Sequence, residues 1–151
     1  PPFHPEAFDM EEAMAELDAE CHRWMEAGKF LVTLGGEHSL TIAPVRAAQR
    51  VFGEIGIVQF DAHADLREEF EGTPYSHASV MRRVFDEGIP SLPVGIRSLS
   101  APEAELVERH KIPVLWGREL EPAAALEKRF DTLLKRLPSR QPAMKRLLTR
   151  R

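Results

Sequence analysis

Cysteine is almost absent from this sequence, with one residue among 151, so no disulfide can form within the chain. Cys21 falls in an apolar stripe of helical spacing, and we interpret it as part of a core rather than as a nucleophile. No apolar run approaches the ~20 residues that a membrane-spanning helix needs. The first residues also lack the basic and then apolar order of a secretory signal. These absences predict a cytoplasmic protein with no membrane partner.

Acidic residues are absent after Asp131. Residues 1–134 hold all 24 acidic residues and 13 of the 20 basic ones, a formal charge of -11, whereas the last seventeen residues carry +7. An acidic body suits metal ions or a small cationic substrate, and a basic end suits nucleic acid or a membrane surface. The basic end has no interleaved aromatic residues, which argues against nucleic acid as a partner. We interpret residues 138–151 as a basic, disordered tail.

The hydrophobic pattern predicts a single α/β domain over residues 1–137. Helices are predicted at 9–27, 39–52, 76–87, 102–110 and 122–137. Strands are predicted at 30–34, 56–60, 92–97 and 112–116. The run 30–34 is continuously apolar, which is typical of a strand inside a parallel sheet. Strands that alternate with helices predict a three-layer parallel sheet with helices on both faces.

Two carboxylates and an imidazole follow the apolar run 56–60 at alternate positions, as Asp61, His63 and Asp65. In an extended backbone such positions point to one side, so the three groups would converge. Converging polar groups at the end of a buried strand favour a divalent metal, which offsets both negative charges. A hydrogen-bonded turn is the alternative interpretation.

A second polar turn, GGEHS at 35–39, directly follows the run 30–34. It presents His38 at the same predicted edge as the carboxylates, because parallel sheets bind ligands at the carboxyl ends of their strands. His77 falls in the first turn of the predicted helix 76–87. A helix amino terminus disfavours the imidazolium form, so His77 is a candidate for proton exchange. The alternative is that His77 is a first-turn histidine with no functional role.

Three motifs in this order resemble those of the ureohydrolase family, the binuclear manganese enzymes that include arginase and agmatinase. They are GGEHS at 35–39, DAHAD at 61–65 and YSHAS at 75–79. The resemblance covers about residues 30–116 and implies an arginase-like fold. The segment from 65 to 83 is most similar to bacterial and archaeal agmatinases.

The resemblance also implies roles for five residues. His38 and Asp65 would bind one manganese ion, His63 would bind the other, and Asp61 would bridge the two. His77 matches the family histidine that relays a proton near the substrate. Agmatine is the implied substrate and would yield putrescine and urea by attack of a metal-bridging hydroxide, a step of polyamine biosynthesis. Arginine, guanidinobutyrate and formiminoglutamate are alternative guanidine-type substrates.

The sequence departs from this family in its length and in its last residues. Family members are about twice as long, assemble as homo-oligomers, and carry a second aspartate pair, which we expect near residues 140–150. No acidic residue is found there. We therefore expect a truncated or frame-shifted sequence, an incomplete sheet, weak manganese binding and little turnover. A non-catalytic binding or assembly protein is the alternative.

Overall fold

The structure, a computed structural model, describes residues 10–121 and 123–138. Five α-helices and three strands alternate in this part of the chain, with short 3-10 segments between some of them. In chain order these are α1 (Met10–Glu26), α2 (Ile42–Phe52), β1 (Ile57–Phe60), α3 (Val80–Asp86), β2 (Ser91–Ile96), α4 (Ala101–His110), β3 (Leu115–Trp116) and α5 (Ala123–Leu134).

The three strands form one parallel sheet in the order β1-β2-β3. Ile57 lies beside Ser91, and this regular register continues to Phe60 and Val94. The pairing of β2 with β3 is irregular around Gly95, whose φ of +91° favours glycine. A side chain there would also approach the carbonyl oxygen of Asp61, at 3.1 Å from a Cβ. Gly95 therefore lets β2 run close to the end of β1.

Two apolar cores hold the helices against the sheet. The larger core gathers buried residues from α1, α2, α3 and α4. The smaller core consists of Leu92, Val94 and Leu115, and it is covered by partly buried residues that include Phe130 and Leu133 of α5. The parallel α/β architecture expected from the sequence is confirmed, and its sheet is partial.

The buried face of helix α1 is the apolar stripe identified in the sequence. Its buried residues are Ala13, Met14, Leu17, Cys21 and Met25. Only 3% of Cys21 is exposed, and burial raises the pKa of its thiol, with Asp18 and Glu20 adding to the rise. Cys21 is thus a core residue, as predicted. None of the described helices has the length and apolar character needed to cross a membrane.

The predicted strand at 30–34 is wrong. This run has no strand assignment, and Phe30, Val32 and Leu34 are 93%, 66% and 89% exposed. Only Leu31 packs against the larger core. A strand pairs its backbone N–H and C=O groups with a neighbouring strand, and this run pairs with none of the three described strands. The same sheet leaves one edge of β1 without a partner strand in the described ranges.

Smaller differences concern element ends. The predicted helix 76–87 begins as a 3-10 turn, His77–Ser79, before α3, and the Ser76 side chain contacts the Ser79 hydroxyl instead of capping the backbone. The predicted strand 112–116 is reduced to β3. The expected tail lies outside the described residues from position 139 onward.

We expect the exposed run to drive self-association of the chain. Large exposed apolar side chains attract other molecules, and so does an open sheet edge. Replacing both Phe30 and Val32 with aspartate should raise the concentration at which light scattering detects oligomers, by about thirtyfold if each burial contributes about 1 kcal/mol. Thr33→Asp adds charge to the same exposed run without removing apolar area. If Thr33→Asp raised that concentration equally, added charge and not the loss of apolar area would explain the reduced self-association.

Candidate metal centre

Three ligand-type side chains meet beyond the carboxyl end of β1. His38, Asp61 and Asp65 each place one ligand atom within 4.8 Å of the others. His38 Nδ1 lies 2.9 Å from Asp65 Oδ2 and 3.9 Å from Asp61 Oδ2. The carboxylate of Asp65 is buried, whereas His38 and Asp61 are half-buried. The structure thus brings together three of the four residues to which the sequence assigned metal ligation.

The fourth, His63, lies beside this group and not within it. Its side chain is 65% exposed, and its Nδ1 is 3.3 Å from Asp61 Oδ1. Strand β1 ends at Phe60, the Asp61 carboxylate accepts a hydrogen bond from the His63 backbone N–H at 2.8 Å, and Asp65 has a φ of +53°. The extended spacing assumed from the sequence therefore does not hold between residues 61 and 65.

The polar turn at 35–39 presents His38 through its two glycines. Both Gly35 and Gly36 have a φ of +84°, and a side chain on Gly36 would collide with Leu40. The Glu37 carboxylate accepts hydrogen bonds from the Ser39 N–H at 2.9 Å and from the Ser39 hydroxyl. This cap starts the 3-10 segment His38–Thr41 and fixes the backbone that carries His38.

The hydrogen bond from His38 to Asp65 raises the pKa of His38, although burial opposes the rise and the charges of Asp65, Asp61 and Glu37 support it. The folded, metal-free chain therefore holds the proton of His38 more strongly than water does.

This shift predicts a pH dependence of stability. In the metal-free chain the His38 ion pair stabilises the fold fully below the ordinary pKa, near 6.5, and this contribution is lost as the pH rises through the raised pKa. Urea unfolding in EDTA should show the decline in stability, and His38→Gln should remove that part of it. His110→Gln is the control, since His110 packs on Phe85 away from this group. A decline unchanged in His38→Gln would contradict the assignment.

His77 lines a cavity whose walls also include Asp65 of the His38, Asp61 and Asp65 group. The cavity has a volume of about 350 Å³, and its walls include His63, Asp65, Phe70 and His77. His77 Nδ1 is 3.2 Å from Glu37 Oε1, and its ring meets the ring of Phe70 edge-on at 5.3 Å. The turn that begins at His77 has only three residues, so the helix-dipole argument does not apply. Glu37 is the charged group that faces this imidazole instead.

Sequence reasoning missed three polar residues around the centre. They are Glu37, Gln59 and Glu103. Gln59 is 6% exposed, and its Nε2 donates to the carbonyl oxygen of His63 at 3.2 Å and to Asp65 Oδ2 at 3.5 Å. A glutamine in an apolar strand was the available signal for Gln59. For Glu103, the signal was its place three residues after Ser100, a capping-box pattern.

Histidine and aspartate side chains beyond the carboxyl end of a parallel strand lie where open α/β sheets bind their ligands. The model of the arginase family matches residues 2–144, and the chain belongs to this family. The ureohydrolase-family resemblance is thereby confirmed. The metal and catalytic roles of individual residues stay predictions.

The relatives agree with this assignment. The chain is 49% identical over 98 residues to an N(1)-aminopropylagmatine ureohydrolase from a Synechocystis strain. The matched residues cover 64% of this chain and 32% of the relative. A Thermus thermophilus protein of the same name is 39% identical over 102 residues, covering 68% of this chain and 35% of the relative. The agmatine ureohydrolase structure from Thermoplasma volcanium matches with a TM-score of 0.74 and 28% identity, over 87% of this chain and 44% of that one. The chain thus spans about a third of the length of these curated relatives.

Proposed function

We propose that this chain carries one half of a binuclear manganese site for the hydrolysis of a linear guanidine. The observation that carries this proposal is the group of three ligand atoms within 4.8 Å of one another, in a chain of the arginase family. Agmatine is the first candidate substrate. N(1)-aminopropylagmatine, which shares the guanidine group and appears in the names of several relatives, is the second.

The residues present fit a divalent ion of the manganese type. One imidazole nitrogen and two carboxylates are suitable ligands, and the two negative charges oppose the charge of the ion. A pair of such ions would lower the pKa of a bound water, so that a nucleophile is available at neutral pH. In the described residues the compact group supplies three ligands, which is fewer than the six of an octahedral manganese site. We therefore propose weak binding by the chain alone.

Each side chain has a separate proposed task. His38 and Asp65 would hold one ion, and His63 would hold the other. Asp61 would serve both, because its Oδ2 lies 3.9 Å from His38 Nδ1 and its Oδ1 lies 3.3 Å from His63 Nδ1. His77 lines the same cavity and relays a proton to the leaving amine. Since Glu37 contacts its Nδ1, the Nε2 atom of His77 is the one that gives up the proton.

The test combines manganese titration with an assay for urea. Calorimetry or the electron paramagnetic resonance signal of free Mn²⁺ should show weak binding by the whole chain. Urea release from agmatine, N(1)-aminopropylagmatine and arginine should stay near that of a His63→Ala control. No Mn²⁺ binding at millimolar concentration would overturn the proposed metal site. Two tightly bound ions per chain, or urea release far above the control, would contradict the proposal that the chain carries only half of it.

A further inference from the structure

We propose that Glu103, on α4, is a positioning residue for the metal ligand Asp65. Among the described residues, Glu103 makes no hydrogen bond with His38 or with the carboxylate of Asp65. Its Oε1 accepts a hydrogen bond from the backbone N–H of Leu66 at 2.9 Å. The proposed action runs through the peptide bond that joins Asp65 to Leu66, and it rests on the proposed metal-dependent function.

The Asp65–Leu66 peptide is held at both of its polar atoms. Its N–H donates to Glu103, and its carbonyl oxygen accepts from the backbone N–H of Arg82 at 3.1 Å. These two bonds fix the orientation of the peptide plane and, with it, the ψ angle of Asp65. The φ angle of Asp65 is +53°, in the left-handed region that non-glycine residues rarely adopt. An uncommon backbone conformation persists only where its surroundings hold it in place.

Glu103 is itself firmly held. It is 5% exposed, and its second oxygen accepts hydrogen bonds from the N–H and the hydroxyl of Ser100, both at 2.7 Å. Arg67 Nε lies 4.0 Å from the same oxygen. One carboxylate therefore caps α4 with one oxygen and tethers the loop after Asp65 with the other. A residue that served only as a helix cap would not need the second contact.

The tether has a direct effect on the ligand group. If the peptide after Asp65 rotates, the Asp65 side chain moves with the backbone and leaves its 2.9 Å contact with His38 Nδ1. The hydrogen bond from Gln59 Nε2 to Asp65 Oδ2 is 3.5 Å long, which is too weak to hold the carboxylate by itself. Glu103 thus pre-organises Asp65 as an outer partner orients a metal ligand.

The test compares two variants of the whole chain. Glu103→Gln removes one acceptor oxygen and the charge, and Glu119→Gln removes a comparable cap at Trp116 N–H on a different segment. Mn²⁺ affinity is measured well below the unfolding temperature of each variant. We expect Glu103→Gln to lose about 10- to 100-fold in Mn²⁺ affinity, and the control Glu119→Gln to stay within about twofold, although both lower thermal stability.

A second readout needs no metal. In EDTA, Glu103→Gln should raise the hydrogen-exchange rate of the Leu66 amide and change the NMR chemical shifts of Asp65 and His38. Glu119→Gln should leave both at the values of the chain without substitutions. If the chain binds no Mn²⁺, the proposed function fails while this readout still decides whether Glu103 holds Asp65. Equal affinity losses in Glu103→Gln and Glu119→Gln, or an unchanged Leu66 amide, would overturn the inference. If Glu103→Gln does not fold, Glu103→Asp is measured instead, and failure of both to fold would assign Glu103 a purely structural role.

Discussion

Replacing Asp65 with alanine is expected to lower the affinity of the chain for Mn²⁺ by about 100-fold or more, since even outer partners of metal ligands contribute about 10- to 100-fold. Asp65 is the buried member of the ligand group, and its carboxylate contacts His38 at 2.9 Å. Its loss leaves two ligands and removes one of the two negative charges that attract the ion. The free Mn²⁺ signal in electron paramagnetic resonance, recorded during titration, measures this change.

The control for this variant is Asp18→Ala. Asp18 also carries a carboxylate paired with a basic side chain, Arg50 at 2.8 Å, but it lies on α1 away from the ligand group. Both variants change the net charge equally, so a general electrostatic effect would appear in both. Affinity of Asp65→Ala within threefold of the unchanged chain would remove Asp65 from the ligand set.

The second large effect concerns stability. Leu92→Ala is expected to lower the free energy of unfolding by about 2–5 kcal/mol, the usual range for a buried leucine. Leu92 is 0% exposed and belongs to the smaller core, which has only Leu92, Val94 and Leu115 as its buried residues in the described part. A cavity at that point removes contacts under α5. Urea unfolding measures the loss, and hydrogen exchange should rise first in α5.

Leu134→Ala, at the end of α5, is the control for Leu92→Ala. Leu134 is 40% exposed at the end of α5, and the same truncation there should change the free energy of unfolding by about 0.5 kcal/mol. Losses of similar size for Leu92 and Leu134 would mean that the smaller core does not depend on tight packing at β2.

The helices could be predicted from sequence because they depend on local patterns, and the grouping of His38 with Asp61 and Asp65 was also expected. The apolar stripe of α1 identifies its buried face whatever packs against it. The grouping of His38 with Asp61 and Asp65 was expected from strand ends that share one edge, but residues 30–34 form no strand. His38 reaches the group through the glycine turn at 35–36 and the 3-10 segment His38–Thr41.

The errors have the opposite origin. Apolar residues at 30–34 indicate a preference for burial, but a strand forms only beside another strand, and that neighbour is not encoded in the run itself. The place of His63 was misjudged because alternation requires an extended backbone, whereas the chain turns after Phe60 and passes through the left-handed conformation of Asp65. The tether from Glu103 to Leu66 joins residues 37 positions apart, which no local pattern reveals.

The order of the sheet bears on how the chain is made. Strands β1, β2 and β3 are neighbours in the same order as they leave the ribosome, and each pairs with the strand before it. Only a loop and one helix separate consecutive strands, so pairing closes short segments and needs no later part of the chain. Each of β2 and β3 therefore has its preceding partner strand already synthesised. Growth of the sheet proceeds away from β1, and the other edge of β1 stays accessible to a further strand throughout synthesis of the described residues.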